Sequence, residues 1–99
     1  MLAPLELPPS YQADIQRAAH LLKTAGCSQV FLFGSLATGQ TSAASDIDLA
    51  VRGCPRGRFF ALYGQLMLEL NHPIDLVNLD RPEAFARFLI QHGELQEIV

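Results

Sequence analysis

The chain has 99 residues, of which 49% are hydrophobic and 17% charged, and its formal net charge is −3. This length predicts a single domain, residues 1–99, with one modest hydrophobic core. Its seven lysines and arginines are scattered instead of forming a basic stripe, and no apolar run is long enough to cross a bilayer, so binding to nucleic acid or membrane is not expected.

The first half of the chain is predicted to fold as a helix followed by two strands. The helix begins near Ser10, a candidate N-cap, and ends before Gly26. The apolar run 30–33 predicts a strand that is buried on both faces and closed by Gly34. After a loop of small polar residues, 47–51 predicts a second strand. Apolar residues recur along the helix at helical spacing: Tyr11, Ile15, Ala18 and Leu22.

The second half is predicted to contain a helix, a strand, a last helix and an edge strand. The apolar stripe of helix 58–70 is wider than one buried face requires, so either two flanking elements or a partner chain should cover it. Strand 73–79 follows, Pro82 opens the last helix, Gly93 ends it, and 95–99 add the edge strand. Three side chains of the last helix are predicted to face inward: Phe85, Phe88 and Leu89. The order of elements predicts an α/β or α+β domain in which helices flank a small mixed β-sheet.

The cysteine content and the first residues indicate a reduced setting. Cys27 and Cys54 are too few for a secreted disulfide framework and are interpreted as small packing residues. The first ten residues lack the basic and apolar regions of a signal peptide. We therefore expect a cytoplasmic protein.

A glycine and a serine, Gly34 and Ser35, directly follow the first predicted strand. Glycine allows a tight turn and close backbone approach. Backbone N–H groups after such a turn can hold phosphate oxygens, and a serine hydroxyl can add a further donor. The same pair also fits a plain strand end followed by an N-cap, so both interpretations stay open on these two residues alone.

Three aspartates lie among the apolar residues of the predicted strands. Asp46 and Asp48 stand two residues apart and project from the same face, where two close carboxylates repel each other unless a divalent cation joins them. Asp75 interrupts the third strand and converges on this pair if the two strands are neighbours. Three such carboxylates form a site for one or two Mg²⁺ ions bridged by substrate phosphates. Solvated acids at strand ends are the alternative for each aspartate taken alone.

The combination of these motifs is more specific than its parts. Gly34-Ser35, ten further residues, Asp46-x-Asp48 between aliphatic residues, and Asp75 after one helix resemble the nucleotidyltransferase superfamily of DNA polymerase beta. More narrowly, the chain resembles the minimal nucleotidyltransferases, of MNT or MntA type, that are encoded beside HEPN-domain proteins. The resemblance runs from about Val30 to the C-terminus.

This resemblance implies a nucleotidyltransferase fold and a role for each motif residue. Asp46 and Asp48 would ligate both metal ions, while Asp75 would ligate the catalytic ion and help to deprotonate the attacking hydroxyl. That hydroxyl would attack the α-phosphate of ATP, and pyrophosphate would leave. The nucleotide would be held by Gly34, Ser35 and Ser45.

One departure from the family pattern concerns the loop before Asp46. Many members carry an arginine just after the Gly-Ser pair and another nearby, whereas this chain has Leu36 and Thr38 and no cation in that loop. Fewer cations near the triphosphate would lower the rate and the nucleotide affinity. Three later arginines either compensate or lie in a solvated turn: Arg52, Arg56 and Arg58.

The chain has no room for the acceptor-holding domain of larger nucleotidyltransferases, so we expect the acceptor to come from another molecule. The resemblance implies a HEPN ribonuclease toxin that its MNT antitoxin adenylylates on a tyrosine, with Mg²⁺ as cofactor and ATP as substrate. The sequence leaves open whether the chain forms a homo- or hetero-oligomer. One alternative is a non-catalytic antitoxin that binds its partner and has a vestigial nucleotide site. Another is nucleotidyl transfer to a small molecule.

Overall fold

Helices lie on both faces of a mixed β-sheet in the computed structural model, which describes residues 8–34, 46–81, 83–93 and 95–98. The predicted fold class is therefore confirmed. No helix in these ranges is both long and apolar enough to span a membrane. In chain order the elements are α1 (Pro9–Thr24), β1 (Gln29–Phe33), β2 (Ile47–Arg52), α2 (Phe59–Glu69), β3 (Ile74–Asn78), α3 (Ala84–His92) and β4 (Gln96–Glu97).

The sheet has the strand order β3-β2-β1-β4. β1 runs antiparallel to both β2 and β4, whereas β2 and β3 run parallel. In this register Asp48 lies opposite Phe33 on one side and opposite Asp75 on the other. β2 therefore holds Asp48 between Phe33 and Asp75, and β3 is an edge strand of the sheet that the described residues form.

Alternating residues of β1 and β2 divide the apolar interior into two clusters, one on each face of the sheet. Val30 and Leu32 pack with side chains of α1 and α2, while Phe31 and Phe33 pack with side chains of α3. β1 is accordingly buried on both faces, as its continuous apolar run predicts. Asp48 alternates with Leu49 and so lies on the α3 face.

The start of α1 differs from the prediction. Pro8 occupies the N-cap position, Pro9 lies in the first turn, and no side chain caps the helix, so the assignment of Ser10 as the N-cap is wrong. The reason is that proline suits the first helical turn, because its fixed φ is helical and it lacks an N–H that would otherwise be unpaired.

The apolar side chains of α3 are arranged differently from the prediction. Leu89 is buried as expected, but Phe85 and Phe88 are 53% and 55% exposed, and Ala86 occupies the sheet-facing position instead. Ala86 and Leu89 define the buried face of the helix, and Phe85 lies at its border, where its ring contacts Phe33 at 6.3 Å between ring centres. Phe88 lies farther round the helix from this face. On α2, three large side chains of the wide apolar stripe are also exposed: Phe60, Met67 and Leu68.

Cys27 and Cys54 form a disulfide, which corrects their interpretation as separate packing residues. Cys27 does lie in the core, at 3% exposure. The backbone N–H of Ser28 donates to the carbonyl of Arg52 over 2.9 Å, so the β1–β2 pairing continues beyond the strands and brings the two cysteines together. Their 27-residue separation in sequence gave no indication of this contact.

Candidate active site

Gly34 ends β1 beside Asp48. Its φ is +76°, in the left-handed region that favours glycine. A Cβ atom at this position would collide with the carboxylate of Asp48. The glycine therefore leaves the space in which the Asp48 carboxylate lies.

Gly34→Ala should destabilise the protein by about 1–2 kcal/mol, because alanine resists a positive φ, and should displace the Asp48 carboxylate as well. Urea denaturation measures the first effect. Gly57→Ala is a matched control, since Gly57 also has a positive φ of 79° but its Cβ would meet nothing within 4 Å. If the two variants lose the same activity and stability, the close approach of Asp48 to Gly34 is of no consequence.

Asp48 and Asp75 lie side by side on neighbouring parallel strands. Side chains at paired positions of adjacent strands project from the same face, so both carboxylates point to the α3 side of the sheet. Asp48 is half-buried, whereas Asp75 and Asp46 are exposed. The sequence analysis expected Asp75 to approach Asp46 and Asp48 if the strands that carry them are neighbours. β2 and β3 are neighbours in the sheet.

The crowding of carboxylates changes the protonation of Asp48. Burial raises its pKa from the usual 3.8 to about 6, and the nearby charges of Asp75 and then Asp46 contribute to the rise. The contribution from Asp46 indicates that all three acids are close enough to interact. In the metal-free protein, a charged Asp48 at neutral pH is therefore unfavourable.

Asp48→Asn should stabilise the metal-free protein at neutral pH. The pKa of Asp48 is higher in the folded than in the unfolded state, so the folded protein favours the protonated carboxyl. The stability that Asp48 contributes is therefore full below about pH 4, and it is lost as the pH rises through about 6 and the carboxyl ionises. The variant avoids this loss. Allowing for solvent screening, its advantage should grow by about 1–2 kcal/mol between pH 4 and pH 7.5. Denaturation in a chelator across this range measures it, and a pH-independent difference would contradict the carboxylate repulsion.

Tyr63 is a site residue that the motifs did not indicate. Its hydroxyl lies 3.2 Å from Oδ1 of Asp75 and 3.2 Å from the carbonyl oxygen of Ile74. Burial raises the pKa of Tyr63, and the negative charges of Asp75 and Asp48 contribute to the rise. The phenol therefore stays protonated and can donate a hydrogen bond to Asp75. In sequence, Tyr63 was only one member of an apolar helical stripe.

A cavity of about 250 Å³ lies beside Tyr63, between α2, β3 and the start of α3. The guanidinium of Arg81 lies 5.6 Å from the ring centre of Phe60 at this cavity. Tyr63 lines this cavity and also contacts Asp75, so its side chain connects the cavity with the aspartates. Its lining combines aromatic and polar side chains: Phe59, Phe60, Phe85, Asn78 and Arg81.

The paired carboxylates fit a divalent cation bound jointly with phosphates. Within the described ranges, no group of three or more His, Cys, Asp or Glu side chains is arranged so that it could hold a metal ion. Mg²⁺ sites, however, often use one or two carboxylates together with substrate phosphates and water. Asp48 and Asp75 supply two adjacent carboxylates, and their repulsion is what a cation would relieve.

Part of the predicted nucleotide site lies outside the described residues. This holds for Ser35 and Ser45, and for Leu36 and Thr38 between them in sequence. Arg52 lies at the far end of β2, four residues from Asp48, which corresponds to about 13 Å along a strand. Compensation from this arginine is therefore not supported.

Comparisons with known proteins identify the family and a similar fold. The family described as polymerase beta, nucleotidyltransferase, matches residues 16–95, which contain all three aspartates and Gly34. A comparison with curated proteins found no match. Among solved structures, a chain of one described as the crystal structure of a toxin-antitoxin with AMP-PNP is similar in fold, with 24% identity and a TM-score of 0.61. The similarity covers 85% of this chain and 70% of that one.

Proposed function

The chain belongs to the polymerase beta nucleotidyltransferase family, and from that premise we propose that it transfers AMP from ATP to a hydroxyl group of a partner protein. The observation that carries the proposal is the pairing of Asp48 with Asp75 on neighbouring strands, with Gly34 beside Asp48. This arrangement agrees with the catalytic roles that the sequence motif implies.

In the proposed reaction, the oxygen of an acceptor hydroxyl forms a bond to the α-phosphorus of ATP, and the bond to pyrophosphate breaks. Asp75 accepts the hydroxyl proton, because it is the exposed carboxylate at the edge strand. Asp48 and Asp75, joined by Asp46 as the sequence motif implies, would hold one or two Mg²⁺ ions together with the substrate phosphates. When bound, Mg²⁺ supplies the positive charge that neutralises the phosphates. The turn at Gly34, with Ser35 and Ser45, would hold the nucleotide.

We propose that the acceptor belongs to a toxin of the HEPN type, for which this chain is the antitoxin. The similar structure is described as a toxin-antitoxin with AMP-PNP, and the sequence motif resembles the MNT proteins encoded beside HEPN proteins. Apolar side chains exposed on α2 and α3 are consistent with a protein partner. The aromatic cavity beside Tyr63 is a suitable place for the acceptor side chain.

ATP labelled at either the α- or the γ-phosphate tests the reaction class. The purified chain is incubated with Mg²⁺ and the HEPN-type protein encoded next to it. Nucleotidyl transfer predicts that the α-label appears on the partner and the γ-label does not. Label from the γ-position alone would indicate a kinase and would refute the proposal.

Two other functions remain as alternatives. A non-catalytic antitoxin is favoured by the loop that lacks arginines between Gly34 and Asp46. Asp48→Asn separates this alternative from the proposal, because a binding antitoxin would still neutralise the toxin fully when its carboxylate is replaced. Transfer to a small molecule is tested by mass spectrometry of small-molecule hydroxyl compounds after incubation with the enzyme and ATP.

We propose that residues 1–99 act as one domain and work in the cytoplasm, where ATP and a ribonuclease toxin would meet. Cytoplasmic thiols are usually reduced. A cytoplasmic location therefore predicts that Cys27 and Cys54, which are bonded in the structure, are reduced in protein isolated from cells. Alkylation of thiols before lysis, followed by mass measurement, distinguishes the bonded pair from two free cysteines.

A further inference from the structure

We propose that Tyr63 is a positioning residue that orients the carboxylate of Asp75 for the reaction. The inference rests on the proposed function, since it assigns Tyr63 a role in the same site. It is based on the contact between the Tyr63 hydroxyl and Oδ1 of Asp75, which links α2 to the edge strand β3.

The position of β3 at the sheet edge explains how a residue of α2 can reach Asp75. Leu62 and Leu66 of α2 pack in the core on the face opposite to the aspartates. Tyr63 lies beside this core, and its ring extends along the edge strand until the hydroxyl reaches both Ile74 and Asp75. A central strand would have blocked this path, because another strand would occupy its edge.

The hydroxyl has one proton to share between two acceptors at equal distances. A carboxylate oxygen is the stronger acceptor, because hydrogen bonds to ionised groups are roughly twice as strong as neutral ones. We therefore assign the donated proton to Oδ1 of Asp75 when that residue is charged. Oδ2 then remains available to a cation or to the acceptor hydroxyl.

Asp75 needs such a constraint because it is exposed and has a neighbouring strand on one side only, in the described part of the sheet. The Tyr63 ring is itself held in place, with Phe59 in an edge-on contact at 6.1 Å between ring centres. A packed donor of this kind reduces the rotational freedom of the carboxylate. Loss of such partners of metal-ligating groups typically costs about 10–100-fold in metal affinity or activity.

The test compares the full-length protein with Tyr63→Phe, which removes only the hydroxyl oxygen. Mn²⁺ binding in the presence of a non-hydrolysable ATP analogue is followed by the electron paramagnetic resonance of free Mn²⁺. We expect the variant to raise the Mn²⁺ dissociation constant about tenfold. Gln65→Ala is the control on the same helix, because Gln65 is exposed and its amide donates to Glu69 instead of to an aspartate of the site. Its Mn²⁺ binding should equal that of the wild type.

Transfer assays and a double variant complete the test. Tyr63→Phe should lower kcat about tenfold, with partial recovery at high metal concentration, and should have no further effect in an Asp75→Asn background, because the two residues act together. Unchanged Mn²⁺ binding and kcat in Tyr63→Phe would overturn the inference, as would an AMP adduct on Tyr63 itself, which would make it an acceptor. A wild type that binds Mn²⁺ but transfers no nucleotide refutes the proposed function, while the Mn²⁺ comparison still decides the role of Tyr63.

Discussion

Replacing Asp75 with asparagine should lower kcat/KM for nucleotide transfer by about 10³-fold and leave the fold intact. Asparagine keeps the shape of the side chain but removes the negative charge that holds a cation and accepts the hydroxyl proton. Loss of a single group that stabilises charge in a transition state typically costs about 10²–10³-fold in rate. Since Asp75 is exposed, the substitution should not disturb the core. Label transfer from α-labelled ATP measures the effect.

Asp80→Asn is the control for this experiment. Asp80 is also an exposed aspartate, two residues beyond β3, and it accepts a hydrogen bond from the backbone N–H of Gly53 over 2.6 Å. Asparagine can accept the same bond, so transfer should be close to that of the wild type. If Asp75→Asn retains activity at the level of Asp80→Asn, Asp75 is not part of the reaction site.

Asp14→Ala should destabilise the protein by about 3 kcal/mol, the largest effect on stability that we expect. Asp14 is 2% exposed and accepts hydrogen bonds from the backbone N–H groups of Asn71 and His72, both over 2.9 Å. Its Oδ2 also lies 2.7 Å from Nδ1 of His72. The ring of His72 stacks on Tyr11 at 3.8 Å between centres. Alanine would remove the buried acceptor of these part-buried hydrogen bonds, and urea denaturation measures the cost.

Arg17→Ala is the control on the same helix. Arg17 pairs with Glu69 over 2.7 Å, but its side chain is 60% exposed, so its loss should cost less than about 1 kcal/mol. Asp14 connects α1 to the turn that leads into β3, and so it supports the strand that carries Asp75. Equal stability losses in the two variants would show that this buried network does not fix the turn.

The sequence was sufficient to predict the strands that carry the aspartates. Each of these strands has a short apolar pattern that an acid interrupts, and aspartate is unfavourable in a strand unless something compensates for it. The spacing from Gly34 to Asp46 and Asp48 then identified the family, which the match over residues 16–95 confirms. Local pattern thus predicted the fold class and the family.

Contacts between distant segments were not predictable in this way. The bond from Tyr63 to Asp75 depends on β3 being an edge strand, and the bonds from Asp14 to the turn before β3 join residues 57 or more positions apart. Periodicity assigned Tyr63 to an apolar stripe and left Asp14 unassigned. Such contacts follow from the packing of helices on the sheet, which no local pattern specifies.

The intact mass of the partner protein is the most direct test of the central claim that the aspartates form a nucleotidyl-transfer site. The partner is incubated with Mg²⁺, ATP and either the wild type or Asp75→Asn, and each protein is then weighed. The account predicts that the partner gains whole AMP units with the wild type and none with the variant. A stable complex with no mass gain under either condition would contradict it and would indicate an antitoxin that acts by binding alone.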